Sequence, residues 1–176
     1  KVKLYNSTPR HRDNFVKLAD ENFYDSLLFH RVIPGFMIQG GDPASKNAEA
    51  GKSLGFGGPG YTIPAEFGNL HFKGALAAAR NNNPEKQSSG SQFYVVHGTI
   101  PTDEDLARFE ANSGIGYTEA QKQLYKEIGG TPGLDHNYTV FGEVVEGWEV
   151  LDAIAAVPTS SDRPLTDVKM TVKILH

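Results

Sequence analysis

The chain contains no cysteine among its 176 residues, which removes disulfides, thiolate nucleophiles and zinc–sulfur sites together while leaving the redox compartment open. No stretch approaches the roughly 18 consecutive apolar residues of a membrane-spanning helix, and neither end shows a signal peptide or a lipidation motif. A basic run is also missing. With 17 Lys and Arg against 21 Asp and Glu, the formal net charge is −4, so nucleic acid and anionic membranes are not expected as partners. No internal repeat or low-complexity segment is present. The six histidines offer no pair at metal-ligand helical spacing, so neither a metal nor another cofactor is expected. Gly55-Phe56-Gly57-Gly58-Pro59-Gly60 is glycine-rich enough for an irregular loop but lacks the lysine and helix start of a phosphate-binding loop. Ser88, Ser89 and Ser91 around Gly90 do not form a nucleophile elbow, so covalent hydrolysis has no support.

What is present fits one domain over residues 1–176, long enough to bury a core unaided. Val2 and Leu4 alternate with lysines. Thr8 stands where it can cap a helix that starts at Pro9 and turns Phe15, Leu18 and Ala19 inward. Short strand-like runs follow at 28–32, 37–40, 74–79, 92–96 and 139–145, with glycine and proline in the gaps. A helix over about 148–156 places Leu151 and Ile154 on its apolar side and stops at Pro158, and Trp148 reads as core. The last run alternates Val168, Met170, Val172 and Ile174 with polar residues, the pattern of a half-buried strand. Between 102 and 130 the chain reads as a helical insertion. Thr102 leads into the acidic start Asp103, Glu104 and Asp105, and Thr118-x-x-Gln121 is a capping box ahead of Leu124 and Ile128, ended by Gly129-Gly130.

Chemistry concentrates in two strings, Phe29-His30-Arg31-Val32-Ile33-Pro34-Gly35-Phe36-Met37-Ile38-Gln39-Gly40-Gly41-Asp42 and Gly90-Ser91-Gln92-Phe93-Tyr94-Val95-Val96. Arg31 carries five N–H donors in a planar fork and stays charged at any ordinary pH. Phe36 and Met37 can line a slot for an apolar ring. In isolation both would read as core, but they follow a Pro-Gly turn and precede Gln39. Gln39 and Gln92 offer donors and acceptors without quenching a cation. His30 reads as a packed strand residue.

Together these strings resemble the signature of cyclophilins, the peptidyl-prolyl cis-trans isomerases. Thr8-Pro9, Asn14-Phe15, Gly74-Ala75-Leu76-Ala77 and Val140-Phe141-Gly142-Glu143-Val144 are similar to further landmarks in the family's order, so the resemblance covers about 1–98 and 133–175. It implies a mainly β fold, a closed eight-stranded antiparallel barrel capped by helices, with an extra helical insertion at about 102–130. In that fold Lys1 to Tyr5 corresponds to the second strand. The first strand is therefore expected to be absent from this sequence, leaving its neighbours as edges. The start at Lys1 rather than Met fits trimming, with an exported or periplasmic location favoured over the cytoplasm.

The resemblance also implies rotation about X-Pro bonds in proline-containing polypeptides, assisting protein folding without a cofactor. Arg31 takes the family's catalytic position, with Gln92 as a second catalytic candidate. Phe36, Met37, Tyr94 and Leu134 take the positions of a proline socket, to which Tyr138 can add a wall and a hydroxyl. Gln39 and Gln92 can bond the substrate backbone and buttress Arg31, and Ala79 and Arg80 stand where the residues preceding proline bind, their backbone groups able to pair with an extended peptide. Four positions depart from the commonest eukaryotic pattern: Arg80 replaces asparagine, Tyr94 phenylalanine, Gly133 the loop tryptophan and Tyr138 histidine. The missing indole removes an N–H and an apolar face, so tight cyclosporin binding is not expected. The alternative reading is a proline-peptide binding module or chaperone without turnover, and the insertion is a candidate docking element for a partner.

Overall fold

Phe93-Tyr94-Val95-Val96 is apolar or aromatic at every position because both faces of this strand are covered. It is central to the fold that the computed structural model describes for residues 1–175; His176 lies outside the described residues. The chain forms β1 (Val2–Leu4), α1 (Pro9–Asp20), β2 (Arg31–Ile33) and β3 (Met37–Gly40), then β4 (Thr62–Ile63), β5 (Ala75–Ala78), β6 (Ser88–Ser89) and β7 (Phe93–Val96). Helices α2 (Asp103–Ser113) and α3 (Glu119–Ile128) come next, followed by β8 (Val140–Val144), α4 (Trp148–Ala155), β9 (Thr159–Ser160) and β10 (Arg163–Pro164). One antiparallel sheet runs β1-β8-β5-β7-β3-β2, and β4–β6 and β9–β10 are separate two-stranded ribbons.

Side chains alternate across a strand, so this sheet presents two unlike faces. On one, Val32, Ile38, Leu76, Phe93 and Val95 join Phe15 and Leu18 of α1 and Leu151 of α4 in the larger core, where each large buried side chain contributes about 1.5–3 kcal/mol. On the other, Met37, Ala75, Ala77, Tyr94 and Val96 pack with Val140. β2 and β3 are joined through Pro34-Gly35. Gly35 has φ 74° and the Phe36 N–H donates to the Ile33 carbonyl at 3.0 Å, since proline presets the second position of such a turn and glycine the left-handed third.

The helices start where the sequence places them, with one change of chemistry. Thr8 precedes α1 but makes no side-chain cap; its hydroxyl is buried without a partner among the described residues. The Glu66 carboxylate instead accepts from the backbone N–H groups of Arg10 at 3.2 Å and His11 at 3.1 Å, satisfying two donors that a helix start leaves free. Both helices of the insertion carry complete capping boxes, Thr102 with Asp105 and Thr118 with Gln121. Trp148 departs from its core reading. It is 38 % exposed and lies over Gly74, where a β-carbon would approach its ring to 2.5 Å.

The described residues form no closed eight-stranded barrel. The main sheet has six strands with β1 and β2 at its edges. The final run is not a strand either: Met170 and Val168 exchange backbone hydrogen bonds with Ser26, Leu27 and Phe29, but no ladder continues through Val172 and Ile174. A cleft of about 680 Å³, lined by Val2, Leu4, Val150, Ile154, Val172 and Ile174 among others, lies between that run and β1. Closure would need a strand there to take up the ladder bonds of the open edge. Among the described residues, no helix is long and apolar enough to cross a membrane.

Burial lowers the pKa of His11 and of His30 below the usual 6.5. Below that pH the unfolded chain binds more protons than the folded one, so stability falls as pH falls. The urea midpoint should therefore drop between about pH 7.5 and 5.5; a flat profile would contradict this account.

Candidate active site

Cross-strand register assembles the site. Arg31 pairs with Gln39, Gln39 with Tyr94 and Tyr94 with Ala77 across β2, β3, β7 and β5, and residues directly opposite one another share a face. One row of the sheet thus sets a guanidinium, an amide, a phenol ring and a methyl group side by side. Met37, two residues along β3, joins the same face, and Phe36, Leu134 and Tyr138 pack against it. Tyr94 and Tyr138 meet edge to face with ring centroids 6.0 Å apart. All the expected socket residues are therefore in one cluster, with Met37 and Tyr94 buried and Phe36, Leu134 and Tyr138 half-buried.

The polar side is a directed chain of hydrogen bonds. Gln92, 6 % exposed, donates its amide N–H groups to the carbonyls of Gly55 at 2.9 Å and Gly57 at 2.7 Å. Its Oε1 accepts from Gln39 Nε2 at 3.0 Å, which turns Gln39 Oε1 toward Arg31 Nη1 at 3.4 Å. The loop that holds Gln92 is itself held by buried Asp42, which accepts from the Gly55 N–H at 2.5 Å and the Ala44 N–H at 2.8 Å. Gly57 must lack a side chain there, since a β-carbon would fall 2.2 Å from Asp42 Oδ1. The glycine-rich stretch is thus a structural loop tied to the site. Gln92 has both its amide nitrogen and its Oε1 engaged within the protein, an arrangement that braces Gln39 beside Arg31.

A second support comes from the β9–β10 ribbon. Ser161 and Asp162 at its tip have φ 48° and 66°; the Asp162 carbonyl accepts from the Val32 N–H at 2.7 Å, and its Oδ2 accepts from Arg31 Nε at 3.4 Å. Both side chains are about half exposed, so this pair adds little stability and acts on direction instead. Two clefts open at Gln39. One of about 630 Å³ is lined by Arg31, Gln39, Asp162 and Arg163 among others, and one of about 450 Å³ by Gln39, Ala79, Arg80 and Gln92 among others.

A sequence model described as "Cyclophilin type peptidyl-prolyl cis-trans isomerase/CLD" matches residues 1–174. The chain belongs to the cyclophilin family. It is 40 % identical over 169 residues to a Streptococcus pyogenes protein named "Putative bifunctional phosphatase/peptidyl-prolyl cis-trans isomerase", an alignment covering 91 % of this chain but 33 % of that protein, so the chain spans about a third of that relative's length. It is 36 % identical to proteins named "Putative peptidyl-prolyl cis-trans isomerase" from Staphylococcus saprophyticus, over 91 % of this chain and 77 % of the relative, and from Staphylococcus aureus, over 94 % and 81 %. In fold it is similar to a cyclophilin-type peptidyl-prolyl cis-trans isomerase of Cryptosporidium parvum crystallised in the presence of the dipeptide Ala-Pro. The TM-score is 0.69 at 22 % identity, covering 99 % of this chain and 90 % of that one.

Within this cyclophilin, Ala79 lines the second of the two clefts that open at Gln39. Its N–H already donates to the Gln92 carbonyl at 2.9 Å and its carbonyl accepts from the Ser89 N–H at 2.7 Å, so its backbone N–H is not open to a peptide. The Arg80 side chain is drawn aside, Nε donating to the Asn137 carbonyl at 2.9 Å and the guanidinium lying 4.6 Å from the centre of the Tyr138 ring. Asp162 and Asp42 went unrecognised in the sequence as parts of the site. The first sits in an ordinary polar turn 131 residues from Arg31, where no local pattern marks it; the second ends the first motif, which was its only signal. Among the described residues no group of three or more His, Asp or Glu is placed to hold a metal ion. Gln92→Leu would leave two carbonyls and the Gln39 amide without partners at similar volume. A loss of about 1–3 kcal/mol in urea unfolding is expected, and an unchanged value would show the chain of amides to be slack.

Proposed function

We propose that this chain, with residues 1–176 acting as one domain, catalyses cis-trans rotation about X-Pro bonds in polypeptide substrates without a cofactor. The observation that carries this reading is a cation held on two sides, by Gln39 and Asp162, beside an apolar and aromatic cluster on the same sheet face. The bond before proline resists rotation because the nitrogen lone pair is delocalised into the carbonyl, a barrier of about 18–20 kcal/mol. Twisting localises that lone pair on the prolyl nitrogen. An N–H aimed there stabilises the twisted state more than either planar one, and Arg31 supplies it. Phe36, Met37, Tyr94, Leu134 and Tyr138 hold the proline ring while the preceding carbonyl turns, and Arg80 offers its backbone to the residues before proline. The relatives named as isomerases and the Ala-Pro dipeptide used with the structural neighbour support the same reading.

Tight cyclosporin binding is not part of it. Gly133 brings no side chain to its loop, and the Phe109 ring of α2 lies 3.0 Å from where a β-carbon would stand. Arg31→Ala should cut kcat/KM on an Ala-Pro peptide by about 100-fold, with a much smaller change in peptide affinity measured by NMR titration. Equal losses in both would make Arg31 a binding residue, and wild-type binding without accelerated exchange would make the chain a binding module.

A docking role for the insertion is favoured by one observation: Leu124 and Ile128 are exposed large apolar residues a turn apart on α3, while Tyr125 of the same helix is fully buried. Leu124→Lys with Ile128→Lys should spare turnover of the small peptide yet slow catalysed, proline-limited refolding of a protein substrate. Equal effects on both would count against docking.

A further inference from the structure

We infer that the 102–130 insertion is also part of the active-site framework, through a buried line of hydrogen bonds that fixes the Tyr94 wall. This inference rests on the isomerase reading, in which Tyr94 and Leu134 belong to the proline socket. The Tyr94 hydroxyl lies 3.0 Å from His71 Nε2. His71 Nδ1 lies 2.8 Å from Asp135 Oδ1, which also accepts from the His71 backbone N–H at 2.7 Å. The other Asp135 oxygen accepts from the hydroxyls of Tyr117 at 2.8 Å and Tyr125 at 2.6 Å. His71 and Tyr125 are fully buried, and Asp135 and Tyr94 nearly so.

The donors converge on one carboxylate. Asp135 takes four hydrogen bonds, and none of them comes from Lys or Arg. A buried carboxylate is costly unless its lone pairs are satisfied, so the four donors are needed together. With Nδ1–H donated to Asp135, the neutral imidazole of His71 keeps Nε2 as an acceptor, to which the Tyr94 O–H donates. The phenol ring is thereby pinned at its far end, stacked on His71 with 14° between the ring planes.

Two of the four donors to Asp135 are Tyr117 and Tyr125, both in the insertion. The insertion brings its own core to the junction, with Leu106, Tyr117 and Tyr125 packed against Leu70 and Phe72 lying 4.4 Å from Tyr125 between ring centroids. Two socket residues are tied to this unit, Tyr94 through His71 and Leu134 as the chain neighbour of Asp135. His71, Asp135, Tyr117 and Tyr125 are therefore positioning residues for the socket. This inner role is compatible with the exposed face of α3, because Tyr125 is fully buried while Leu124 and Ile128 are exposed.

Tyr117→Phe with Tyr125→Phe keeps both rings and removes two donors. Affinity for an Ala-Pro peptide, followed by NMR titration, should weaken about fivefold. The Tyr94 ring signals should also shift in the same spectra, because the partner that fixes its hydroxyl through His71 has lost half of its donors. Leu106→Ala, which removes apolar packing from the same unit, should lower the melting temperature while leaving affinity and the Tyr94 ring signals at wild type. The inference is overturned if the double variant matches wild type in both readouts, or if Leu106→Ala reproduces both changes. Should the double variant fail to fold, Tyr94→Phe approaches from the other end: the ring signals of Tyr117 and Tyr125 should shift, and unchanged signals would overturn the inference. Peptide affinity reads the network whether or not turnover occurs, so a wild type that binds without isomerising would sink the isomerase reading alone.

Discussion

Gln39 has a single carbonyl oxygen, and the site depends on which neighbour receives it. Were the amide reversed, two N–H groups would face the Arg31 guanidinium and repel it. The reversal is blocked from behind, because Gln92 has committed its N–H groups to two loop carbonyls and has only an oxygen left for Gln39. Those carbonyls are set by a loop anchored on Asp42. The orientation of a half-exposed cation therefore traces back, through neutral amides, to a carboxylate with no exposed surface. Neutral relays suit this task, since a carboxylate in the place of Gln39 would pair with the guanidinium and take up the donors it must offer elsewhere.

The sheet separates stability from chemistry by face. The side packed on α1 and α4 holds most of the large buried side chains, while the other side carries alanines and a ring of aromatic groups. Because the period of a strand is two, every residue between the socket positions is pledged to the larger core: Ile38 lies between Met37 and Gln39, and Phe93 between Gln92 and Tyr94. A register shift by one residue would exchange the two sets, so the pairing that stabilises the fold and the pairing that builds the site are the same pairing.

Much of this was readable from the chain. The Pro34-Gly35 turn, the period-two pattern around it, the acidic start of α2 and the capping box of α3 follow from local residue chemistry, and the grouping of Arg31, Phe36, Met37, Gln39 and Tyr94 was implied by the resemblance to cyclophilins. What escaped reading depends on contacts between distant segments. Thr8 looks like a helix cap, yet Glu66, which lies 55 residues beyond His11, does that work. Val172 and Ile174 alternate like a strand but find no ladder partner among the described residues, which pattern alone cannot supply. Trp148 has the hydrophobicity of a core residue and a glycine to lie on, yet keeps an exposed flank. His71 and Asp135 are each unremarkable in sequence and become significant only because 64 residues of chain fold back to join them.

The tip of the β9–β10 ribbon has a temporal consequence. Two successive residues there adopt left-handed backbone without being glycine, a conformation that costs free energy and persists only where neighbours enforce it. Enforcement comes from β2, through the Val32 N–H. Since Asp162 follows Arg31 by 131 residues, a nascent polypeptide leaving the ribosome would already have released every strand of the main sheet before the guanidinium acquired its second restraint.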